Sequence, residues 1–239
     1  MKVFICFIAS SFILSSSFAQ EKDWETRLEL AYVKTGGNTE TGTMSSKLDV
    51  KSEGWGNRYA FLCSFLRTED EGKEKANNFA SELRVERVVS GRLFVFLGIN
   101  YFRDRFAGYE YRYSIGPGLG YDISKKEKHV LKGLCSIRYY REKSTVEGDS
   151  AQMFASLKSA INDEWKIRMN VTWKNRLEYN VSMKDSRKYY IDFESALEVA
   201  ISSKLSIGMS YLVKYQNIIP RPEIETTDTA FMSSLIINL

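Results

Sequence analysis

A single histidine, His129, narrows the chemistry open to this chain. A serine or cysteine nucleophile usually needs an imidazole beside it, itself oriented by a third group. His129 opens an alternating segment in phase with Leu131 and Ile137, which suits an interfacial strand residue rather than a base in a cleft. A structural zinc site generally needs four ligands. Beyond the opening apolar run, the nitrogen and sulfur candidates are only His129, Cys63 and Cys135. No catalytic residue, metal or cofactor is expected. The two thiols fall on apolar faces of what read as the third and seventh strands. Four strand spacings of about 4.8 Å put them roughly 19 Å apart, beyond the ~7 Å reach of a disulfide, so both should be free.

Gly116, Gly118 and Gly120 carry no Lys-Ser/Thr pair behind them and open no helix, so they are not a phosphate loop. Spaced every second residue, they form a bare strip on one face, where the wall can bend or bulky side chains can pack across it. Pro117 between them cannot donate a ladder hydrogen bond and should mark a local break.

What remains is charge. Arg112, Arg138, Lys158, Lys166, Arg168, Lys174 and Arg176 supply cations, and Glu82, Glu86, Asp192, Glu194 and Glu198 supply anions. They occupy every second position, with apolar residues between. Two chemistries are open to such a face: a selective path for small anions along the basic stripe, or salt bridges that fill an interior. An unpaired buried charge is costly, which favours the second.

Strands must position these residues. Trp165 to Asn180 alternates apolar and ionic residues almost without fault, which reads as one continuous strand, too long for an ordinary soluble sheet. The same period yields about twelve strands, near 26–34, 40–52, 58–68, 76–89, 92–104, 111–122, 128–142, 151–162, 165–180, 186–201, 205–216 and 228–239. Charges on the apolar faces fall at predicted strand ends: Lys34, Arg67, Arg87, Arg103, Arg141 and Arg187. A mid-bilayer Arg or Lys would cost about 2–4 kcal/mol, so this exclusion is what a lipid-facing surface needs. Short linkers at Ser90-Gly91, Ser124 to Glu127, Asp163-Glu164 and Ser202 to Lys204 alternate with longer ones at Glu69 to Lys75, Lys143 to Ser150 and Asn217 to Thr227. That rhythm belongs to periplasmic turns and external loops. The expected fold is an all-β, antiparallel, up-and-down transmembrane barrel.

Lys2, the apolar run Val3 to Leu14 and the small-residue stretch ending at Ala19 have the layout of a secretory signal, with cleavage expected after Ala19. Residues 20–239 would then form the barrel. A net charge of +4 with scattered basic residues excludes a nucleic-acid footprint.

Leu30 to Val50, with Thr35-Gly36-Gly37-Asn38-Thr39, resembles the opening hairpin of the salt-induced outer membrane protein family of YdiY-like proteins, which is defined by a domain of unknown function. Tyr109 to Tyr121, with Tyr111-Arg112-Tyr113-Ser114 and Gly116-Pro117-Gly118-Leu119-Gly120-Tyr121, is similar to its central glycine-rich strand. Leu205 to Asn217, Pro220 and the strand after Asp228 look like its C-terminal section. The resemblance implies an outer membrane barrel without established enzymatic activity, and a link to salt stress. Ending in Leu239 rather than the Phe common among such barrels is a departure.

The expected function is a non-enzymatic barrel of the outer membrane, acting as a small-solute or ion pore or as an envelope component. Its expected partners are outer membrane lipid and, during biogenesis, the barrel assembly machinery. A surface-binding barrel working through the Asn217–Thr227 loop, stiffened by Pro220 and Pro222, is the alternative. An embedded hydrolase is disfavoured by the single histidine.

Overall fold

The computed structural model describes residues 24–35, 41–54, 56–219 and 224–239. The expected signal segment, 1–19, the Gly36-Gly37-Asn38-Thr39 motif and both prolines of the last loop lie outside them. The described chain forms twelve strands: β1 Trp24–Thr35, β2 Thr41–Gly54, β3 Asn57–Asp70, β4 Lys73–Ser90, β5 Leu93–Asp104, β6 Tyr109–Lys126, β7 His129–Ser144, β8 Gln152–Arg168, β9 Val171–Ser182, β10 Tyr189–Ala200, β11 Leu205–Gln216 and β12 Thr227–Asn238. Each pairs antiparallel with its sequence neighbours. The β1–β12 pairing, from Arg27↔Asn238 to Leu30↔Leu235, closes the sheet into a barrel. Closure leaves no edge strand to satisfy.

Alternation decides the two faces. Leu93, Val95, Leu97 and Ile99 of β5 point outward and are exposed, as are Ile115 and Leu119 of β6 and Leu177 of β9. Aromatic rings form chains on this face toward one end: Phe79–Tyr101–Tyr113–Tyr111, and Tyr179–Tyr189–Tyr215, with centroids 4.9–6.0 Å apart. Trp165 and Trp173 sit side by side toward the other end, as cross-strand partners. Two aromatic girdles around an apolar band are the surface that a bilayer selects.

The expected strand Trp165–Asn180 is a hairpin. Trp165 to Arg168 finish β8, Met169 and Asn170 make the turn, and β9 begins at Val171. The odd residue Trp165 pairs with the odd residue Trp173, because the two-residue turn reverses the numbering parity of the outward face and the bulge between Lys166 and Arg168 restores it. Periodicity alone therefore cannot see this turn. Asp163-Glu164, expected as a linker, lies within β8. This places Asp163 on the outward face well inside a strand, contrary to the expectation that outward charges fall only at strand ends. Glu69 to Lys75, expected as a long linker, shortens to Glu71 and Gly72, with φ of 49° and 73°. Positive φ at both central residues is the type I′ hairpin geometry, whose twist matches the strands.

At one end of the barrel β2 is followed by β3, β4 by β5, β6 by β7, β8 by β9 and β10 by β11, with described turns at 91–92, 127–128, 169–170 and 201–204. At the other end the described connections are 71–72, 105–108, 145–151 and 183–188. These are the short-turn and long-loop ends below. The break expected at Pro117 is present: β6 keeps its register with β7, but the ladder skips Gly116 and Pro117 between Ile115↔Tyr139 and Gly118↔Ser136.

The two faces make a direct prediction. Leu177→Arg on the outward face should cost about 2–4 kcal/mol in urea unfolding from lipid vesicles. Ser64→Arg, on the inward face of β3, should change stability by less than about 1 kcal/mol. Equal losses would contradict the assignment of faces.

Candidate functional site

Inward-facing residues meet across the lumen. In the middle layer, Arg176 of β9 reaches Glu82 of β4, five strands away, at 3.1 Å, and binds Glu178 at 2.5 Å. Lys158 binds Glu178 at 2.9 Å. Lys47 of β2 crosses to Glu194 of β10 at 2.7 Å. Toward the short-turn end, Glu198 holds Arg27 at 2.6 Å and Lys174 at 2.9 Å, while Glu86 holds Arg58 at 3.1 Å and Arg84 at 2.9 Å. Pairing of this kind lets charge exist inside a barrel, because either partner left alone would bear its full desolvation cost.

Toward the long-loop end the arrangement is aromatic as well as ionic. The Arg112 guanidinium lies 3.9 Å from the Tyr109 ring centre and 4.2 Å from that of Tyr190, and its Nε donates to Glu142 at 2.9 Å. Its Nη2 has no hydrogen-bond acceptor, so the ring faces take that role. Lys188 donates to Glu142 at 2.5 Å and sits 4.2 Å from the Phe154 ring centre. Asn180 donates to the Tyr140 hydroxyl just below. In the β9–β10 loop, Arg187 holds the Asp185 carboxyl below the usual carboxylate range, donating from its side chain at 3.0 Å and from its backbone N–H.

A cavity of about 310 Å³ occupies the long-loop half, lined among others by Lys47, Arg112, Lys158, Asp192 and Lys214. Below it the side of the lumen lined by β3 to β8 is packed. Phe94 and Phe96 point inward from β5 and form a buried cluster with Leu134 of β7, joined by Ala160. Arg58 caps the Phe94 ring at 4.6 Å, and Arg84 and Arg138 flank Phe96 at 5.9 and 5.8 Å. Arg138 is only 2% exposed, so water hardly reaches a guanidinium at this level.

The glycine strip makes room for this cluster. A Cβ on Gly120 would run into the Phe94 ring, and one on Gly118 into the Phe96 ring. On the neighbouring strand, a Cβ on Gly98 would run into the Arg138 guanidinium. The strip therefore serves packing across the wall.

The sequence-predicted charges divide accordingly. Arg112, Arg138, Lys158, Lys174, Arg176, Glu82, Glu86, Asp192, Glu194 and Glu198 all face inward. Lys166 faces inward too, but at the exposed short-turn rim. Arg168 is a correction. A bulge between Lys166 and Arg168 shifts the register so that Arg168 pairs with outward-facing Val171, which carries it to the outer face. Phe94 and Phe96 escape an alternation argument because Leu93 to Ile99 is apolar in both phases. That very loss of alternation was the available signal.

His129 sits on the outward face. His129 Nε2 lies 2.7 Å from Asp163 Oδ1. The Ser124 hydroxyl donates to the backbone oxygen of His129 at 2.9 Å. Among the described residues no cluster of metal-ligating side chains occurs. Cys63 and Cys135 are free thiols.

The family model described as "Protein of unknown function, DUF481" matches residues 28–238. The chain belongs to this family. No curated protein matches the sequence. Among solved structures it is similar to the NanC porin, with 12% identity, a TM-score of 0.50, and coverage of 90% of this chain and 98% of that one. It also aligns with the translocator domain of the autotransporter NalP from Neisseria meningitidis, at 6% identity and TM-score 0.46 over 93% of this chain and 89% of that one. With the KdgM porin in complex with disordered oligogalacturonate the values are 8% and 0.42, over 89% and 96%. The likeness to the NanC porin shows the fold: this DUF481 member is a closed antiparallel barrel of the outer membrane porin kind.

Packing across the strip is testable. Gly120→Ala should destabilise the barrel by about 1–3 kcal/mol through overpacking. Phe94→Ala should relieve most of that loss, so the two substitutions should couple in a double-mutant cycle. Additive effects would contradict the contact.

Proposed function

We propose that this protein is a non-enzymatic barrel of the outer membrane that serves as a narrow, normally closed solute pathway. The long loops face outside and the short turns face the periplasm. Small polar solutes enter the external cavity, where cations, carboxylates and aromatic faces meet them, and stop at the packed layer beneath.

One observation carries this reading. The 310 Å³ cavity has walls of mixed charge, and Phe94, Phe96 and Leu134 are not among its lining residues. An open porin would continue past that level. Passage requires the rings to turn aside and the Arg176–Glu82 and Lys47–Glu194 bridges to part. Such bridges weaken as counterions enter, since the screening length falls from about 10 Å at 0.1 M salt to about 3 Å at 1 M. That gives the salt-stress link of the resembling family a physical route through the lumen.

Planar-bilayer recording of the refolded protein tests the proposal. The native barrel should carry brief, small currents that grow faster than bulk conductivity between about 0.1 M and 1 M salt. Phe94→Ser with Phe96→Ser should give a steady current. A native barrel that conducts continuously would refute the closed layer. A double variant that remains silent would leave an envelope barrel without a pathway.

A further inference from the structure

The outer wall of β6 to β9 departs from the rest of the outward face in three ways, stacked from mid-barrel to the short-turn rim. The first is a hollow. Gly133 of β7 has no side chain, and its outward neighbours Cys135 and Ser159 are small. An open depression of about 610 Å³ lies there, walled by Leu119, Ile123, Ile161 and Leu177.

The second is a polar chain one step nearer the short-turn end. Trp173 Nε1 donates to Ser195 Oγ at 2.9 Å, and Ser195 Oγ donates to Asn175 Oδ1 at 2.8 Å. Asn175 Nδ2 donates to Asp163 Oδ2 at 3.4 Å, and Asp163 Oδ1 meets His129 Nε2 at 2.7 Å. Register places all five outward, on β7 to β10. Polar and ionisable groups on a lipid-facing surface are expensive unless something polar meets them. The chain satisfies its own members only in part, since the Asn175–Asp163 link is long and the second nitrogen of His129 is not used in it.

The third is a basic rim. A bulge between Asp122 and Ser124 turns Lys126 onto the outward side, opposite His129. The bulge before Arg168 does the same for that residue. Lys128 lies in the β6–β7 turn, and its carbonyl accepts from Lys166 N at 2.8 Å, which ties that turn to the end of β8. Glu127 is the one acid in these turns.

A hollow for hydrocarbon, then hydrogen-bonding groups, then cations is the order of acyl chain, glycerol esters and phosphate in a lipid. We infer that this wall binds one anionic glycerophospholipid of the periplasmic leaflet. An acyl chain fills the hollow over Gly133, the ester region meets His129 and Asn175, and the headgroup phosphate lies among Lys126, Lys128 and Arg168. The inference rests on the reading of the barrel as an outer membrane protein.

The test is native mass spectrometry of the refolded full-length barrel, delipidated and titrated with phosphatidylglycerol or phosphatidylethanolamine. Heat-modifiability on gels reports barrel integrity separately. One phosphatidylglycerol should be retained per barrel at concentrations where phosphatidylethanolamine is not. Gly133→Leu fills the hollow and meets little, since an added Cβ would lie 3.4 Å from Ile123 Cδ1. It should abolish retention while the barrel stays intact. Lys126→Gln with Lys128→Gln should weaken retention on the order of 20-fold. Equal retention of the two lipids, retention unchanged in Gly133→Leu, or lipid-free dimers covering this wall would each overturn the inference. Failure to form a barrel at all would instead overturn the membrane reading beneath it.

Discussion

Backbone hydrogen bonding governs this molecule. In a hydrocarbon environment every N–H and C=O must find a partner within the protein, and a sheet achieves that only by closing on itself. Twelve strands in sequential antiparallel order meet the requirement, with β12 completing the ladder against β1. Once the ring is closed, side chains of alternate parity have no choice of environment. One set faces lipid and the other faces the lumen.

That division explains the content of the lumen. Polar and aromatic side chains confined within the ring must pair or bear the cost of desolvation. They pair across the barrel, as Arg176 does with Glu82 and Lys47 with Glu194. Where rings replace carboxylates, guanidinium groups lie over them: Arg58 over Phe94, and Arg112 between Tyr109 and Tyr190. The glycines facing Phe94 and Phe96 are the complement of these large groups. The lumen is therefore two regions, a charged cavity in the long-loop half and an aromatic, cation-capped layer beneath it.

Much of this was legible in the alternation. A period of two specifies which residues share a face, so strand number, barrel class and the inward charges all followed from it. Two kinds of feature did not. A two-residue turn whose parity change is cancelled by an adjacent bulge, as at Met169-Asn170, is invisible to a periodicity argument and made a hairpin look like one strand. A single-residue bulge reverses parity without a compositional mark, which is why Arg168 moved from the lumen to the outer rim. Segments apolar in both phases, such as Leu93 to Ile99, hid the inward rings. Asp163 shows the reverse case, a charge whose partner His129 is near in space across β7 and β8 but thirty-four positions away in sequence.

The central claim is that the lumen is accessible from the long-loop side only as far as the Phe94–Phe96–Leu134 layer. Single cysteines in a background lacking Cys63 and Cys135 test it directly, with a charged, membrane-impermeant thiol reagent added to the outside of intact cells. Ser64→Cys, which lines the cavity, should react rapidly. Thr172→Cys, which faces inward at the short-turn end, should react only after the envelope is opened. Equal reaction rates at the two positions from outside would contradict a closed layer and describe an open pore.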